Sequence, residues 1–494
     1  MAFDIIVTNK IVDELQNIIG YKVDKIYQPN KNTVILGLYK ASNNLALLSC
    51  ISSNNYRVHL TTHQYQNPEI APNFCMLLRK YLIGFRISNI YTHNFERIIF
   101  IDFENPDNPD KVIYKKLIIE LMGKHSNIIL TNENDIIIDS MRHTSIEENS
   151  QRDIYPTCRY LLPEPNNYNK NVTLSSSILS DVPDEYDSLN SFLDDFYFNK
   201  ETTEIFNNRK NSLYSIVSHT YKKYQKRLEN MNKKLLDCDD MDKYKLYGEL
   251  ITANLYQIPN KNVDSITIEN YYDNNNLITI PLDERYSPSR NSKLYFKKYS
   301  KLKNALEIVN LQKQDTLKDL SYLESVIFEI ESASALYDLT LIEEEISDEN
   351  NTVFNKSKIS LKNNKSSKKS TKKKKSKEIH FNPLEFTVDD YKIYVGKNNK
   401  ENDYLTTKFA NKNDIWFHTQ DIHGSHVILK THPGKETIPD NILLETAKLA
   451  ALHSKAKTDK GVLVDYCPVS NVKKPSGSQP GFVIYKNHKT IMLK

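Results

Sequence analysis

Glycine, cysteine and tryptophan are scarce in this chain: 11, 5 and 1 among 494 residues. The cysteines, Cys50, Cys75, Cys158, Cys238 and Cys467, stand singly, with no C-x-x-C pair to hold zinc and no dense framework to staple a small domain. They read as reduced, mostly structural thiols. No apolar run approaches the roughly 20 residues that a membrane-spanning helix requires. The amino terminus, MAFDIIVTNKIVDEL, places Asp4 where a signal peptide carries positive charge. Membrane insertion and secretion are therefore disfavoured, and a cytoplasmic address is expected. The shortage of glycine accompanies abundant Asn, Lys, Tyr and Ile, a bias that fits an AT-rich genome and inflates apparent low complexity.

What is present is a soluble, multi-domain composition. At 39% hydrophobic and 26% charged residues the chain is globular in character, and 494 residues suggest three or four units. The net charge of +4 hides an asymmetry: eleven lysines and no acid lie between Lys356 and Lys377, so the rest of the chain carries −7. Such a tract repels itself and buries nothing, which makes it a mobile linker, and a phosphate-rich partner is as good a reading as a plain tether.

Periodicity divides the chain. Up to about residue 165 an amphipathic opening helix (Ile11, Leu15, Ile18, Ile19) precedes short β-branched runs such as VILGLY, RIIFIDF and LIIELM, which predict an α+β domain. A Ser/Asn-rich bridge follows to about 190. Narrow apolar stripes, Leu213 to Leu235 and Leu320 to Ile330, then predict two arms of an antiparallel coiled coil over 191–345. Within it, SITI and LITI around YYDNNN predict a hairpin inside a small insert, about 259–292. After the lysine-rich linker, 346–380, a compact α+β domain is expected over 381–494.

No residue pattern demands catalysis. His418, His423, His426 and His432 are spaced by five, three and six, but no Cys or Glu lies at a zincin spacing, so no metal is assigned. Ser425 and His426 are adjacent and rarely point at each other, which removes a nucleophilic pair. Groups suited to RNA are plentiful. Arg97 can grip a phosphate bidentately beside Glu96, although on the residues alone such a neighbouring pair on a strand is more often ordinary surface charge. Arg79, Lys80 and Arg86 surround an apolar helix and can form a basic lip. Lys124 and His125, beside Gly123 and Ser126, fit either a phosphate-holding turn or a simple hairpin connection. Lys397, Asn398, Asn399, Lys400 and Asn402 offer donors in one turn, with Tyr404, Trp416 and Phe417 as stacking faces. Flanking Ile415 and Phe417 favour Trp416 as a core anchor.

The blocks FCMLLRKYL and IIELMGKHSNIIL near one end, with VGKNNKENDYLT, DIWFHTQDIHGSHVIL, LAALHS, VKKPSG and PGFVIY near the other, resemble the NFACT family of ribosome quality-control factors. The resemblance implies an NFACT-N domain similar to the DNA-glycosylase fold, a long antiparallel coiled coil and a carboxy-terminal NFACT-R domain. It implies tRNA contact at Asp4, Glu96, Arg97, Glu120, Leu121 and Met122, to which Arg79 and Lys124 are added on chemistry. For ribosomal RNA it points to Lys397, Asn398, Asn399, Lys400, Asn402, Trp416, His418, Ser425, His426, Lys473 and Lys474. The family's Asp-Arg pair is Glu96-Arg97 here. About 30 linker-like residues replace the helix-hairpin-helix module that members carry, which implies its loss.

The activity so implied is binding of an obstructed large ribosomal subunit with peptidyl-tRNA. Aminoacyl-tRNA, expected to be alanyl-tRNA, is then recruited for mRNA-independent tailing of the stalled chain. The ribosome forms the bond, so no enzyme activity, cofactor, membrane or DNA partner is expected. A general RNA-binding protein without tailing and a surface fibronectin-binding adhesin are the alternatives. A glycosylase is disfavoured, since its Pro-Glu start is replaced by Met1, Ala2 and Phe3.

Overall fold

A computed structural model describes residues 3–93, 96–105, 112–145, 152–163, 182–259, 263–348, 351–356, 381–431 and 438–493. The expected bridge over most of 166–190, the tract Lys365 to Lys377 and His432 lie outside the described residues. Two compact units divide at residue 205.

The first unit is built on nine antiparallel strands: β1 (Lys22–Asn30), β2 (Thr33–Lys40), β3 (Asn43–Cys50), β4 (Arg57–Leu60), β5 (Arg86–Thr92), β6 (Ile98–Glu104), β7 (Tyr114–Glu120), β8 (Asn127–Asn132) and β9 (Ile137–Ser140). Their order is β4-β3-β2-β1-β5-β6-β7-β8-β9. Alternation along β6 sets its two faces: Ile99, Ile101 and Phe103 enter the main core, while Ile98 and Phe100 join a second cluster with Ile118, Ile129 and Tyr160. Helices α1 (Ile5–Leu15) and α2 (Asn73–Leu82) cover the main core.

Helix α3 (Leu189–Cys238) begins in the same core, where Leu189, Phe192, Leu193 and Tyr197 are buried. Its first amides are capped by Glu14, which accepts from Leu189 N at 2.9 Å and Asn190 N at 3.0 Å. A carboxylate there meets orphan N–H groups and the positive end of the helix dipole. The opening turns of α3 thus serve the sheet domain, whereas the stripe pattern had assigned them to a coiled-coil arm.

In the second unit the rest of α3 runs antiparallel to α5 (Pro288–Ser332) after the short helix α4 (Met241–Ala253). The register is read from side chains: Lys210 Nζ donates to Glu331 O at 2.7 Å, Tyr221 to Glu324 at 2.6 Å, and Thr316 Oγ1 meets Met231 Sδ at 3.7 Å. The predicted hairpin is β10 (Ser265–Asn270) with β11 (Asn276–Pro281). Helices α6 (Leu336–Ile346) and α7 (Thr352–Lys356) close the base, where Leu339, Ile342, Val353 and Phe354 join Leu323 and Ile330.

The carboxy-terminal sheet has the order β12-β13-β15-β14-β16-β19, formed by β12 (Leu384–Val388), β13 (Tyr391–Val395), β14 (Ile415–Thr419), β15 (Val427–Leu429), β16 (Leu463–Pro468) and β19 (Lys489–Met492). β17 (Val472–Lys473) pairs with β18 (Ile484–Tyr485) beside it. Helix α8 (Asn399–Tyr404) follows β13, and α9 (Asp440–Leu452) packs on the face bearing Ile393, Phe417 and Val427. Among the described residues no helix is long and apolar enough to cross a membrane.

Candidate nucleic-acid interface

In the first unit, most of the predicted residues collect at one end of the sheet. Arg97 immediately precedes β6, and its carbonyl accepts from Leu121 N at 2.9 Å, so the turn after β7 lies beside it. Arg97 Nη1 donates to Tyr56 OH at 3.2 Å, and its guanidinium lies 5.8 Å from that ring. Glu96, also half-buried, makes no ion pair with Arg97 among the described residues; its amide donates to His93 O at 2.8 Å. The charged pair therefore sits just outside the strand, and Tyr56 rather than Glu96 steadies the arginine.

Lys124 and His125 are exposed in the turn that follows, which Gly123 enters with φ +62, a left-handed conformation that favours glycine. Arg142 pins this turn from behind, donating to Lys124 O and Ser126 O at 3.1 Å each and to Ile51 O at 2.9 Å. Tyr56, Arg97 and the turn bearing Lys124 are thereby held at the same end of the sheet.

Direct contact by Glu120 and Leu121 is excluded in this conformation, because both are fully buried. Arg152 grips Glu120 with two 2.9 Å bonds, and Tyr160 OH donates to it at 2.9 Å. Burial, with Glu120 beside it, holds the Tyr160 phenol far above its ordinary range, so it remains a donor. Half-buried Met122 donates its amide to Ser126 Oγ at 2.8 Å and helps shape the turn. Asp4 caps α1, accepting from Val7 N at 2.9 Å. Arg79 is spent on Ile26 O at 2.9 Å, tying α2 to β1. Both acts are structural.

The second candidate surface follows β13. Asn398 caps α8 by accepting from Glu401 N at 2.9 Å, and Asn402 accepts from His426 N at 3.0 Å. Asn399 turns into the helical base: its amide donates to Glu329, and its side chain reaches Ser325 at 3.2 Å and Glu345 at 3.3 Å. All three asparagines are buried, so they build the turn instead of presenting donors to solvent. Trp416 is also buried, with His418 stacked at 5.6 Å, His426 edge-on at 5.3 Å and Tyr485 at 4.8 Å. Burial lowers His418 to about 4 and His426 to about 3, making both neutral near pH 7 and poor phosphate ligands. Ser425 is anchored through its amide to His453 O at 2.9 Å. Lys474 pairs with Asp403, and Lys400 lies 3.9 Å from Glu344. Lys397 and Lys473 are left without an ion-pair partner among the described residues, and Lys473 is exposed.

Comparison with known proteins decides the family. A model of the NFACT N-terminal and middle domains matches residues 4–182 and 168–371, and one of the NFACT protein RNA binding domain matches residues 377–487. The chain belongs to the NFACT family. The Rqc2 homolog RqcH of Bacillus subtilis is 31% identical over 580 aligned positions, covering 100% of this chain and 98% of that protein. Its namesake in Streptococcus suis is 30% identical, with 100% and 98% covered. A solved structure, the C-terminal part of a fibronectin/fibrinogen-binding protein from Streptococcus suis, is 28% identical with a TM-score of 0.41, over 58% of this chain and 94% of that one. In NFACT terms the Arg97 rim lies in the N-terminal match and the Asn399 turn in the RNA-binding match. Sequence reasoning missed Tyr56, Arg142, Arg152 and Tyr160. Their relevance is purely spatial, and no local spacing signals it.

Proposed function

We propose that this NFACT protein acts in ribosome quality control. It binds a large ribosomal subunit that retains peptidyl-tRNA and recruits aminoacyl-tRNA, of which alanyl-tRNA is the expected species, to extend the stalled chain without mRNA. The observation that carries this reading is the full-length similarity to the Rqc2 homolog RqcH, which spans the sheet domain, the helical arms and the RNA-binding domain together. Bond formation is left to the ribosome, and the protein contributes positioning. On this reading Arg97 and Lys124 face tRNA phosphate, while Lys397 and Lys473 face ribosomal RNA.

The 580 aligned positions exceed the 494 residues here by 86, which supports a missing internal module and would leave tRNA selection to the first-unit rim. Affinity purification of the tagged protein followed by RNA sequencing tests the reading. Large-subunit RNA with one dominant tRNA is expected, and neither above background would overturn it.

A further inference from the structure

Arg142, just beyond β9, joins three stretches of chain at the end of the sheet that carries Arg97. Its Nη1 donates to Lys124 O and Ser126 O at 3.1 Å each, and its Nη2 to Asn32 Oδ1 at 3.0 Å and Ile51 O at 2.9 Å. The four terminal N–H groups of the guanidinium are thereby matched by four neutral protein oxygens. A grip on any ligand would have to break these bonds first.

The backbone of Arg142 is fixed as firmly. Its amide donates to Asn127 Oδ1 at 3.0 Å, and Asn127 Nδ2 returns a bond to Arg142 O at 2.7 Å, at the first residue of β8. The fork therefore reaches the turn from a rigid base.

Lys124 and Ser126 belong to the turn between β7 and β8, whereas Ile51 opens the loop from β3 to β4, on which Tyr56 OH accepts from Arg97 Nη1 at 3.2 Å. The two segments are neighbours, since a Cβ added to Gly123 would lie 3.9 Å from Ser53 O. Each has bonds of its own. Ile51 N donates to Asn32 O at 2.8 Å, and within the turn the amides of His125 and Ser126 close on Met122 O at 3.1 Å and Gly123 O at 3.2 Å. Arg142 bonds both segments at once.

We propose that Arg142 is a positioning residue for tRNA binding: its guanidinium registers Lys124 against the loop that holds Arg97, and itself touches no ligand. The inference rests on the reading of Arg97 and Lys124 as phosphate-facing groups and adds to it the residue that sets one relative to the other. Two cations profit jointly from a polyanion only when their spacing suits its phosphates, so a turn left free to drift forfeits preorganisation and keeps its charge.

The test is a double-mutant cycle on the full-length protein with labelled bulk tRNA, affinity being read by fluorescence anisotropy at fixed salt. Lys124→Ala removes a charge-assisted contact and is expected to weaken binding about tenfold. Arg142→Ala should weaken it by a similar factor, and the double variant should bind no more weakly than the weaker single one, because both changes remove the same contact. Losses that multiply to about a hundredfold would mean that Arg142 meets the ligand independently, and would overturn the proposal. A merely structural arginine lowers the urea midpoint and leaves the affinity of the folded protein unchanged, which would overturn it as well. Arg142→Lys keeps the charge without the four-bonded fork and should recover less than half of the loss on a logarithmic scale; full recovery would show that charge alone acts, against the proposal. Circular dichroism verifies that each variant is folded, and if Arg142→Ala is not, Arg142→Gln, which retains a donor for the carbonyls, takes its place in the cycle. A Lys124→Ala variant that binds like the wild type, or a wild type that binds no tRNA, overturns the underlying tRNA reading and the proposal with it.

Discussion

Glu120 has no solvent to hold its charge, so the two bonds from Arg152 and one from Tyr160 carry it. Removing one partner of such a pair leaves a stranded ion and costs about 3 to 5 kcal/mol. Arg152→Ala should lower the unfolding free energy by that order, read by urea denaturation. Glu120→Gln should cost less, because it removes the charge that requires solvation. Arg97 behaves in the opposite manner: it is half-buried and, among the described residues, bonded to one phenol and paired with no carboxylate. Arg97→Ala should leave stability nearly unchanged and weaken tRNA binding by about ten- to a hundredfold, equivalent to roughly 1.5 to 3 kcal/mol for a charge-assisted contact. Glu96→Asp should be tolerated in the same filter-binding assay, and Tyr56→Ala should weaken binding more than Glu96→Ala, since Tyr56 steadies the guanidinium. Equal losses at Glu96 and Tyr56 would show that the carboxylate acts directly on the ligand. The sequence singled out Glu120 and Arg97 alike as site residues. It could not tell them apart, because burial depends on a partner 32 residues away.

The elements themselves were largely legible. β2, β6, β7 and the β10–β11 hairpin fall where alternation and β-branched runs predicted, since each carries an apolar pattern of its own. Less legible was what covers each apolar face: the start of α3 is buried against a sheet, and nothing in its spacing distinguishes that from a helical partner. The same applies to the polar turn before α8, where Asn399, which looked like an RNA donor, is folded inward onto α5 and α6. That joint makes an electrostatic prediction. Glu329 and Glu345 are both buried, Glu329 accepts from Asn399 N, and Glu345 accepts from Tyr322 OH at 2.7 Å. Burial raises both carboxyls: Glu329 is pushed well up with Glu345, Asp403 and Glu401 adding negative charge, and Glu345 to about 7 despite the bonds from Tyr322 and Asn399 and the charge of Lys400. A carboxyl raised in the folded state stabilises fully below its unfolded pKa and loses that stability as pH rises through the folded value. Docking of α8 on the helical base should therefore loosen from about pH 5 to above 7, read as faster amide exchange at residues 399–404 after correction for intrinsic rates. Glu329→Gln should remove part of that dependence while keeping an acceptor for the Asn399 amide. Protection independent of pH in the wild type would mean that the pair is charged throughout.

At the scale of the whole molecule, charge is distributed against the function proposed for it. The stretch from Lys356 to Lys377 carries eleven lysines, and the remaining chain has a net −7. An acidic body approaching a phosphate-covered particle is repelled at long range, and a concentrated basic segment can reverse this before any fitted contact forms. Screening confines the effect: at physiological salt it fades beyond about 8 Å, and at 0.01 M it extends to about 30 Å. Replacing the lysines between Lys365 and Lys377 by serine should therefore slow association with large subunits most strongly at low salt. The dissociation rate should change much less, because fitted contacts on the folded domains remain. Unfolding curves of those domains should coincide with the wild type, since a run of Lys, Ser and Thr offers no apolar side chain to a core. Stopped-flow measurements across ionic strength separate the possibilities. A reduced association rate that recovers towards the wild-type value as salt rises identifies the tract as a steering element. A raised dissociation rate at all salts identifies it as part of the bound interface, and identical rates would leave it a tether alone.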